Sequence, residues 1–289
     1  MGGSFVPVRR ERLSIAVPAS QVSDTPHLRE KTLKIGLIGR AAAIFRVNEI
    51  IIYPDLPELD QSDDANLIAS ILSYMEVPQY LRKRLIPFQR SLKYVGVLPP
   101  LRVPHHPTKA LTTELVEGEF RDGVVVSSEK TKTLVDVGVD QLIPLDVSGL
   151  PVGKRVTVRI IEAGRNPRAA LAKPEEVNIY WGYKVTVSNL PLGGLVKTRD
   201  FDLVIGTSRY GVSLLDVIEK LRLQWRSART VLIAFGSPKH GLKEILAREN
   251  FKLEDIAHFT VNTVPLQGTE TVRTEEAIYI SLGILNMLV

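Results

Sequence analysis

Cysteine does not occur in the 289-residue chain. That absence excludes thiolate metal sites, cysteine nucleophiles, thiol redox chemistry and a disulfide framework. Long apolar runs are missing too: none reaches the roughly 18 residues that a membrane-spanning helix needs. No secretory apolar region follows Met1, so the expectation is a cytoplasmic protein with no membrane partner. The common catalytic signatures are also lacking. Gly149–Arg155 (GLPVGKR) has the wrong spacing for a phosphate loop, and Gly36-Leu-Ile-Gly39 falls in the middle of an expected helix rather than after a strand. There is no H-E-x-x-H and no G-x-S-x-G. The pair His105-His106 lies in a proline-rich connector with no carboxylate nearby in sequence, so no metal is expected.

What is present is globular. Hydrophobic residues make up 44% and charged residues 24%, and the length allows two domains with separate cores. Lys and Arg number 37 against 32 Asp and Glu, a net of +5. Seven of those bases (Arg82, Lys83, Arg84, Arg90, Lys93, Arg102 and Lys109) lie between Val77 and Thr113 with no acidic residue among them. The rest of the chain holds 30 bases and 32 acids, a net of −2, so one segment carries the whole positive balance. Such a strip is either a solvated face or a phosphate-contacting surface for nucleic acid.

The first hundred residues read as α/β. Arg12–Val17 is a short buried strand, Thr25 and Pro26 start a helix, and Glu49–Tyr53 is a strand buried on both faces. Strand, helix and strand at this spacing make a right-handed βαβ unit. A helix over about Ala65–Met75 and a short basic helix, Gln79–Leu85, follow. From about Leu98 the texture changes. After Pro99, Pro100, Pro104 and Pro107 come short β runs at Gly123–Val126, Thr133–Val137, Gln141–Pro144 and Arg155–Glu162, as in a small barrel of the oligonucleotide-binding (OB) kind. The α/β texture resumes with strands at Leu203–Ile205, Thr230–Phe235 and Phe259–Val261. Helices are expected at Leu214–Leu221, Leu242–Arg248 and Thr274–Leu288. The expected organisation is an α/β domain over 1–98 and 179–289, interrupted by a β-barrel insertion over 99–178.

Two loops at the carboxyl ends of the late strands hold Gly and Pro: Gly236–Leu242 and the segment from Asn262 through Thr274-Glu275-Glu276. Open parallel sheets bind ligands there. These loops resemble the second and third motifs of the SPOUT superfamily of S-adenosylmethionine-dependent RNA methyltransferases. Gly36–Ile50, with Arg40 on a helix before a strand, is similar to that family's first motif. Further blocks resemble the archaeal and eukaryotic RNA uridine N3-methyltransferase subfamily: Val77–Lys83, Ser91–Pro100 followed by Pro104-His105-His106, Phe120–Val124, Tyr180–Tyr183, Ile205–Ser208 and Val261–Ile278. They run in order over nearly the whole chain.

The resemblance implies a parallel sheet with a C-terminal trefoil knot, an inserted OB-like barrel, and a homodimer formed through the knot region by the apolar face of the last helix. It also implies S-adenosyl-L-methionine as cofactor, with S-adenosyl-L-homocysteine as product. The cofactor loops would be Thr207-Ser208, then Gly236, Ser237, Pro238, Gly241 and Leu242, then Asn262, Thr263, Val264, Pro265, Gln267, Gly268, Thr271, Thr274 and Ala277. Val264, Leu266 and Ile278 stand as adenine-wall residues or as core. Arg40 is the leading catalytic residue, by binding a phosphate or stabilising an anionic base, since a guanidinium does not serve as a base at neutral pH. Arg273 offers a second positive contact. Glu275 either accepts a proton or opens a helix as a first-turn carboxylate. Arg82, Lys83, Arg84, Arg90, Lys93 and Arg102 are the expected RNA-binding residues. The expected activity is uridine N3 methylation, with ribose 2′-O methylation and a non-catalytic RNA-assembly role as alternatives.

Overall fold

A computed structural model describes residues 7–129 and 132–288. Its contacts gather into two compact units. One contains Arg9–Met75, Arg90–Pro100 and the chain from Tyr183 onward; the other contains Pro7, Val8, Glu76–Gln89 and Leu101–Gly182.

The first unit begins with β1 (Arg12–Pro18), α1 (Leu28–Ile44), β2 (Glu49–Tyr53) and α2 (Ser62–Glu76), whose last residue belongs to the second unit. A short helix, α3 (Arg82–Leu85), and the strands β3 (Phe120–Ser128), β4 (Thr133–Asp136), β5 (Ile143–Leu145), β6 (Arg155–Glu162) and β7 (Arg168–Leu171) lie in the second unit. The first unit resumes with β8 (Lys184–Val187), α4 (Leu192–Arg199), β9 (Leu203–Ser213), α5 (Leu214–Ser227) and β10 (Thr230–Ala234). It ends with α6 (Leu242–Ala247), α7 (Leu253–Ile256), β11 (Phe259–Asn262) and α8 (Thr274–Leu285).

The first unit is built on a six-stranded sheet in the order β11-β9-β10-β1-β2-β8, and every pairing is parallel. Its central strands are apolar runs buried on both faces: β1 is buried from Leu13 to Pro18 and β2 throughout. Glu49 is the exception in β2. Burial works against its charge, but hydrogen bonds from Arg199 (3.1 and 2.7 Å) and from the Thr186 hydroxyl (2.6 Å) prevail and hold its carboxyl below the usual range. In α1, Gly36 and Gly39 serve close packing. A Cβ on Gly39 would stand 2.7 Å from the Tyr183 hydroxyl and 3.0 Å from Leu72, and one on Gly36 would stand 2.6 Å from Leu98.

Helix α1 starts later than expected. His27, not Thr25, precedes its first turn, and the Thr25 hydroxyl donates instead to Asp24 at 3.0 Å. Four elements were not expected at all: β7, β8, α4 and α7. Helix α4 opens on Gly193 and Gly194, poor helix formers. Their amides donate to the two oxygens of the Glu249 carboxylate at 2.9 and 3.0 Å, so a distant side chain completes the helix start.

The second unit is a closed five-stranded barrel in the order β3-β4-β5-β7-β6, with β6 returning to β3. Val125, Val135, Ile143, Leu145, Val158 and Ile160 fill it. Beside this core lies a polar hub. Arg155 donates to both oxygens of Glu76 at 2.6 and 2.9 Å and also to Asp122, which accepts from Thr157 (2.8 Å) and from the Trp181 indole (3.0 Å). The ring Nε2 atoms of His105 and His106 lie 2.9 and 2.7 Å from the Glu76 carbonyl oxygen. Burial, reinforced by the neighbouring His105, pushes His106 down to about 4. Glu76 is pushed down to about 2, where hydrogen bonds from His105 and Arg155 overcome the burial that opposes its charge.

Candidate functional site

The carboxyl ends of the parallel strands carry the segments singled out in the sequence, and hydrogen bonds tie them together. Strand β9 follows β11 in register as far as the pair Thr260 and Gly206, then leaves it and rejoins at Val261 and Val212. The intervening Thr207–Gly211 forms an excursion. Gly211 permits the return: a Cβ there would stand 2.7 Å from the carbonyl carbon of Val261. Thr207 donates its hydroxyl to the Ala234 carbonyl (3.0 Å), just ahead of the second loop. Asn262 donates to the Arg209 carbonyl (2.9 Å), and Arg209 Nη1 donates to the Glu270 carbonyl (2.9 Å). The Thr274 hydroxyl donates to the Gly236 carbonyl (3.2 Å), and the Tyr53 hydroxyl to that of Phe235 (2.6 Å). First, second and third loops therefore form one assembly.

Within it, Ser237 and His240 close a tight turn through the His240 carbonyl, which accepts from the Ser237 amide at 2.9 Å. Leu242 and Thr263 are buried, Thr263 sharing a 2.8 Å hydrogen bond with Ser281. Ser208, Pro238, Val264, Gln267 and Ala277 are half-buried, whereas Gly241, Pro265, Gly268 and Thr271 are exposed. A Cβ on Gly241 or Gly268 would meet no atom within 4 Å, so the chain leaves open space on that side of both. Leu266 is fully exposed with a left-handed backbone, φ 56°. Ile278 is fully buried in the core.

The catalytic candidates lie at three places. Arg273 precedes α8 and is exposed, its amide donating to Glu276 (2.9 Å). Glu275 is buried in the first turn of α8, with Lys34 Nζ at 3.8 Å and Gln21 Nε2 at 3.4 Å. Burial raises its pKa, and Lys34 opposes that shift only in part. Lys34 spends its shorter bonds, 2.7 and 3.0 Å, on Asp24. Sequence reasoning missed Lys34, Asp24 and Gln21, because a lysine at a helical position and two loop residues carry no pattern. Arg40 lies farther along α1, roughly 9 Å beyond Lys34 at the helical rise. It donates to the Pro100 carbonyl (2.9 Å), and its charge is felt by Tyr279 on α8.

The basic strip divides between the units: Arg82, Lys83, Arg84, Arg102 and Lys109 belong with the barrel, Arg90 and Lys93 with the sheet. Lys83, Arg90, Lys93 and Arg102 are exposed, while Arg84 is paired with Asp136 at 2.8 Å. Among the described residues, no cluster of His, Asp or Glu is placed to hold a metal ion, and no helix is long and apolar enough to cross a membrane.

Residues 12–285, which span both units, match the model of a family described as "Putative RNA methyltransferase". The chain belongs to that family. Among its relatives, a protein of Drosophila melanogaster called 28S rRNA (uridine-N(3))-methyltransferase is 32% identical over 94% of this chain. The chain spans 61% of that relative's length. A Mus musculus protein of the same name is also 32% identical, over 94% of this chain and 75% of its own length. An uncharacterized protein of Haloarcula marismortui is 33% identical over 95% of this chain and 98% of itself.

Proposed function

We propose that this chain transfers a methyl group from S-adenosyl-L-methionine to N3 of a uridine in ribosomal RNA. The observation that carries the reading is the similarity, across 94% of the chain, to proteins named for that reaction. The residues at the sheet's carboxyl end fit such a donor. Open space beside Gly241 and Gly268 leaves backbone accessible to an adenosyl group, and Thr207, Ser208, Asn262 and Gln267 add polar groups around it. When bound, the cofactor supplies an electrophilic methyl group. The chain's residues do the rest. Uridine N3 carries a proton at neutral pH, so its loss must be eased; Arg40 and Arg273 stabilise the resulting anion, and Glu275, with its raised proton affinity, accepts or orients a proton. The N3 edge is masked in a base pair, so the target is unpaired or extruded.

Three finer elements belong to this proposal. The sheet-end loops form a trefoil knot of the SPOUT kind. The barrel is OB-like, a reading supported by its order β3-β4-β5-β7-β6, and with Arg82, Lys83 and Arg102 it holds the RNA backbone. The chain dimerises through α8 and the turn after it: Ile278, Leu282 and Leu285 are buried within the unit, which leaves Ile280, Ile284 and Met287 as the apolar stripe for a partner copy.

The test is transfer from labelled cofactor to RNA followed by nucleoside mass spectrometry. The expected product is 3-methyluridine, and Arg40→Ala lowers the rate at least about a hundredfold while binding of S-adenosylhomocysteine persists. A ribose-methylated product would replace the N3 reading. Cofactor binding without transfer to any RNA would leave a non-catalytic RNA-assembly role.

A further inference from the structure

Neither a cofactor loop nor an RNA-binding strip accounts for Arg209 and Tyr210, at the tip of the β9 excursion. Tyr210 is 83% exposed, although aromatic rings normally cover themselves. The Arg209 guanidinium lies over one face of that ring, 4.8 Å from its centroid, so the other face is the open one. The pair is not a loose tip. Arg209 is fixed at its side chain by the Glu270 carbonyl and at its own carbonyl by Asn262, both from the third loop, and the Tyr210 amide donates to Ser208 at 3.2 Å. An exposed aromatic ring with a guanidinium over one face thus stands on the same loop assembly proposed to hold the methyl donor.

We infer that the open face of Tyr210 is the stacking platform for the unpaired target uridine, with Arg209 as the charge behind it. The inference rests on the proposed activity and assigns it a base-recognition site. Every base has a π-face, so an exposed tyrosine ring takes one without further reshaping. The cation on the far face draws electron density from the ring. That favours an electron-rich partner on the near face, and uracil becomes most electron-rich when N3 loses its proton. In the transfer, the N3 proton leaves to Glu275 or to solvent, N3 bonds to the methyl carbon, and the carbon–sulfur bond breaks with its electron pair remaining on sulfur. Arg209 acts on the first of these events by stabilising the anion, and Tyr210 on all of them by fixing the ring.

The experiment uses the full chain with a fluorescent oligouridylate decamer, and with the same decamer carrying one 4-thiouridine for photocrosslinking. Tyr210→Leu is expected to weaken decamer binding about tenfold to a hundredfold and to abolish a crosslink mapped to the excursion. Tyr210→Phe retains both. Arg209→Gln lowers the transfer rate at saturating RNA more than it lowers affinity. Calorimetry with S-adenosylhomocysteine, unchanged in all three variants, establishes that the loops remain folded. The inference is overturned if Tyr210→Leu binds the decamer like the parent, if the crosslink maps elsewhere, or if light scattering shows that Tyr210→Leu splits a dimer, since the ring would then be covered by a second copy. The activity reading fails separately: a parent chain that makes no 3-methyluridine while Tyr210→Leu still loses decamer affinity leaves the platform standing without the reaction.

Discussion

The two units use buried charge in opposite ways. In the barrel, Glu76, Asp122 and Arg155 satisfy one another, and the Glu76 carboxyl is held down to about 2. At the end of the sheet, Glu275 is buried with Lys34 at 3.8 Å and a 3.4 Å hydrogen bond from Gln21, and burial drives its proton affinity up. Gln21 beside it keeps a buried side-chain oxygen without a partner. A carboxylate whose charge is fully matched holds a shape; one left with an unmet demand is available to a ligand or a proton. Orphaned buried polar atoms occur in both units, His105 Nδ1 and Arg121 Nη2 in the barrel and Gln21 Oε1 at the sheet, so what differs is the balance of charge around each carboxylate.

The largest expected effect breaks the charge-matched hub of the barrel. Arg155→Ala strands Glu76 and Asp122 without their cation, and an uncompensated buried charge costs about 3–5 kcal/mol. Thermal unfolding should therefore fall by roughly 10 °C, and hydrogen exchange should accelerate first in β3 and β6. An unchanged melting curve would mean that the hub is ornamental.

A smaller effect comes from pH, with opposite signs in the two units. His106 titrates at about 4 when folded against 6.5 when free, so on acidification the unfolded chain takes up its proton first. The barrel then loses roughly 3 kcal/mol as pH falls from 6.5 toward 4, and Glu76 extends that loss from 4.5 toward about 2. Glu275 binds its proton more tightly when folded, so its contribution falls as pH rises from the free value of 4.5 through the raised one. Urea titrations across pH 4 to 7 should show a shallower acid loss in His106→Gln, whereas Glu275→Gln should stabilise the chain at neutral pH relative to the parent. The same slope in parent and His106→Gln would remove the histidine from the account.

The smallest effect on stability sharpens the comparison most. Gly268→Ala meets no atom within 4 Å, so melting should stay within about a degree. If a ligand occupies that space, calorimetric affinity for S-adenosylhomocysteine should nevertheless drop about tenfold. Full affinity would move the binding site away from Gly268.

Much of this architecture was legible where hydrophobic pattern decides structure. The runs EIIIY and RVTVRIIE are strands with the bounds their composition suggests, because continuous or alternating β-branched residues leave little choice. Elements that depend on partners far along the chain were not legible. Helix α4 needs Glu249 to accept its glycine amides, and β8 (KVTV) needs the β2 edge to pair with. The sequence reading ends the strand at Ile205, since nothing local says that Val212 resumes pairing with β11. Loop composition led to the sheet-end assembly, but the company of Glu275 (Lys34 on one helix and Gln21 after β1) is fixed only by tertiary packing.

The hub around Glu76 has a consequence for how the barrel entered such a fold. Gly182, the barrel's last residue, lies against His105 so closely that a Cβ would be 2.5 Å from the ring, and His105 in turn holds Glu76, where the barrel unit takes over from α2. The first residue of Glu76–Gln89 and the last of Leu101–Gly182 thereby meet, although Arg90–Pro100 between those segments belongs to the sheet unit. For a host chain, the entropy of accommodating an insertion depends on the separation of its ends and only logarithmically on its length. Ends that meet within the folded barrel unit keep the closure cost of so long a stretch of chain small, since that cost grows only slowly with length.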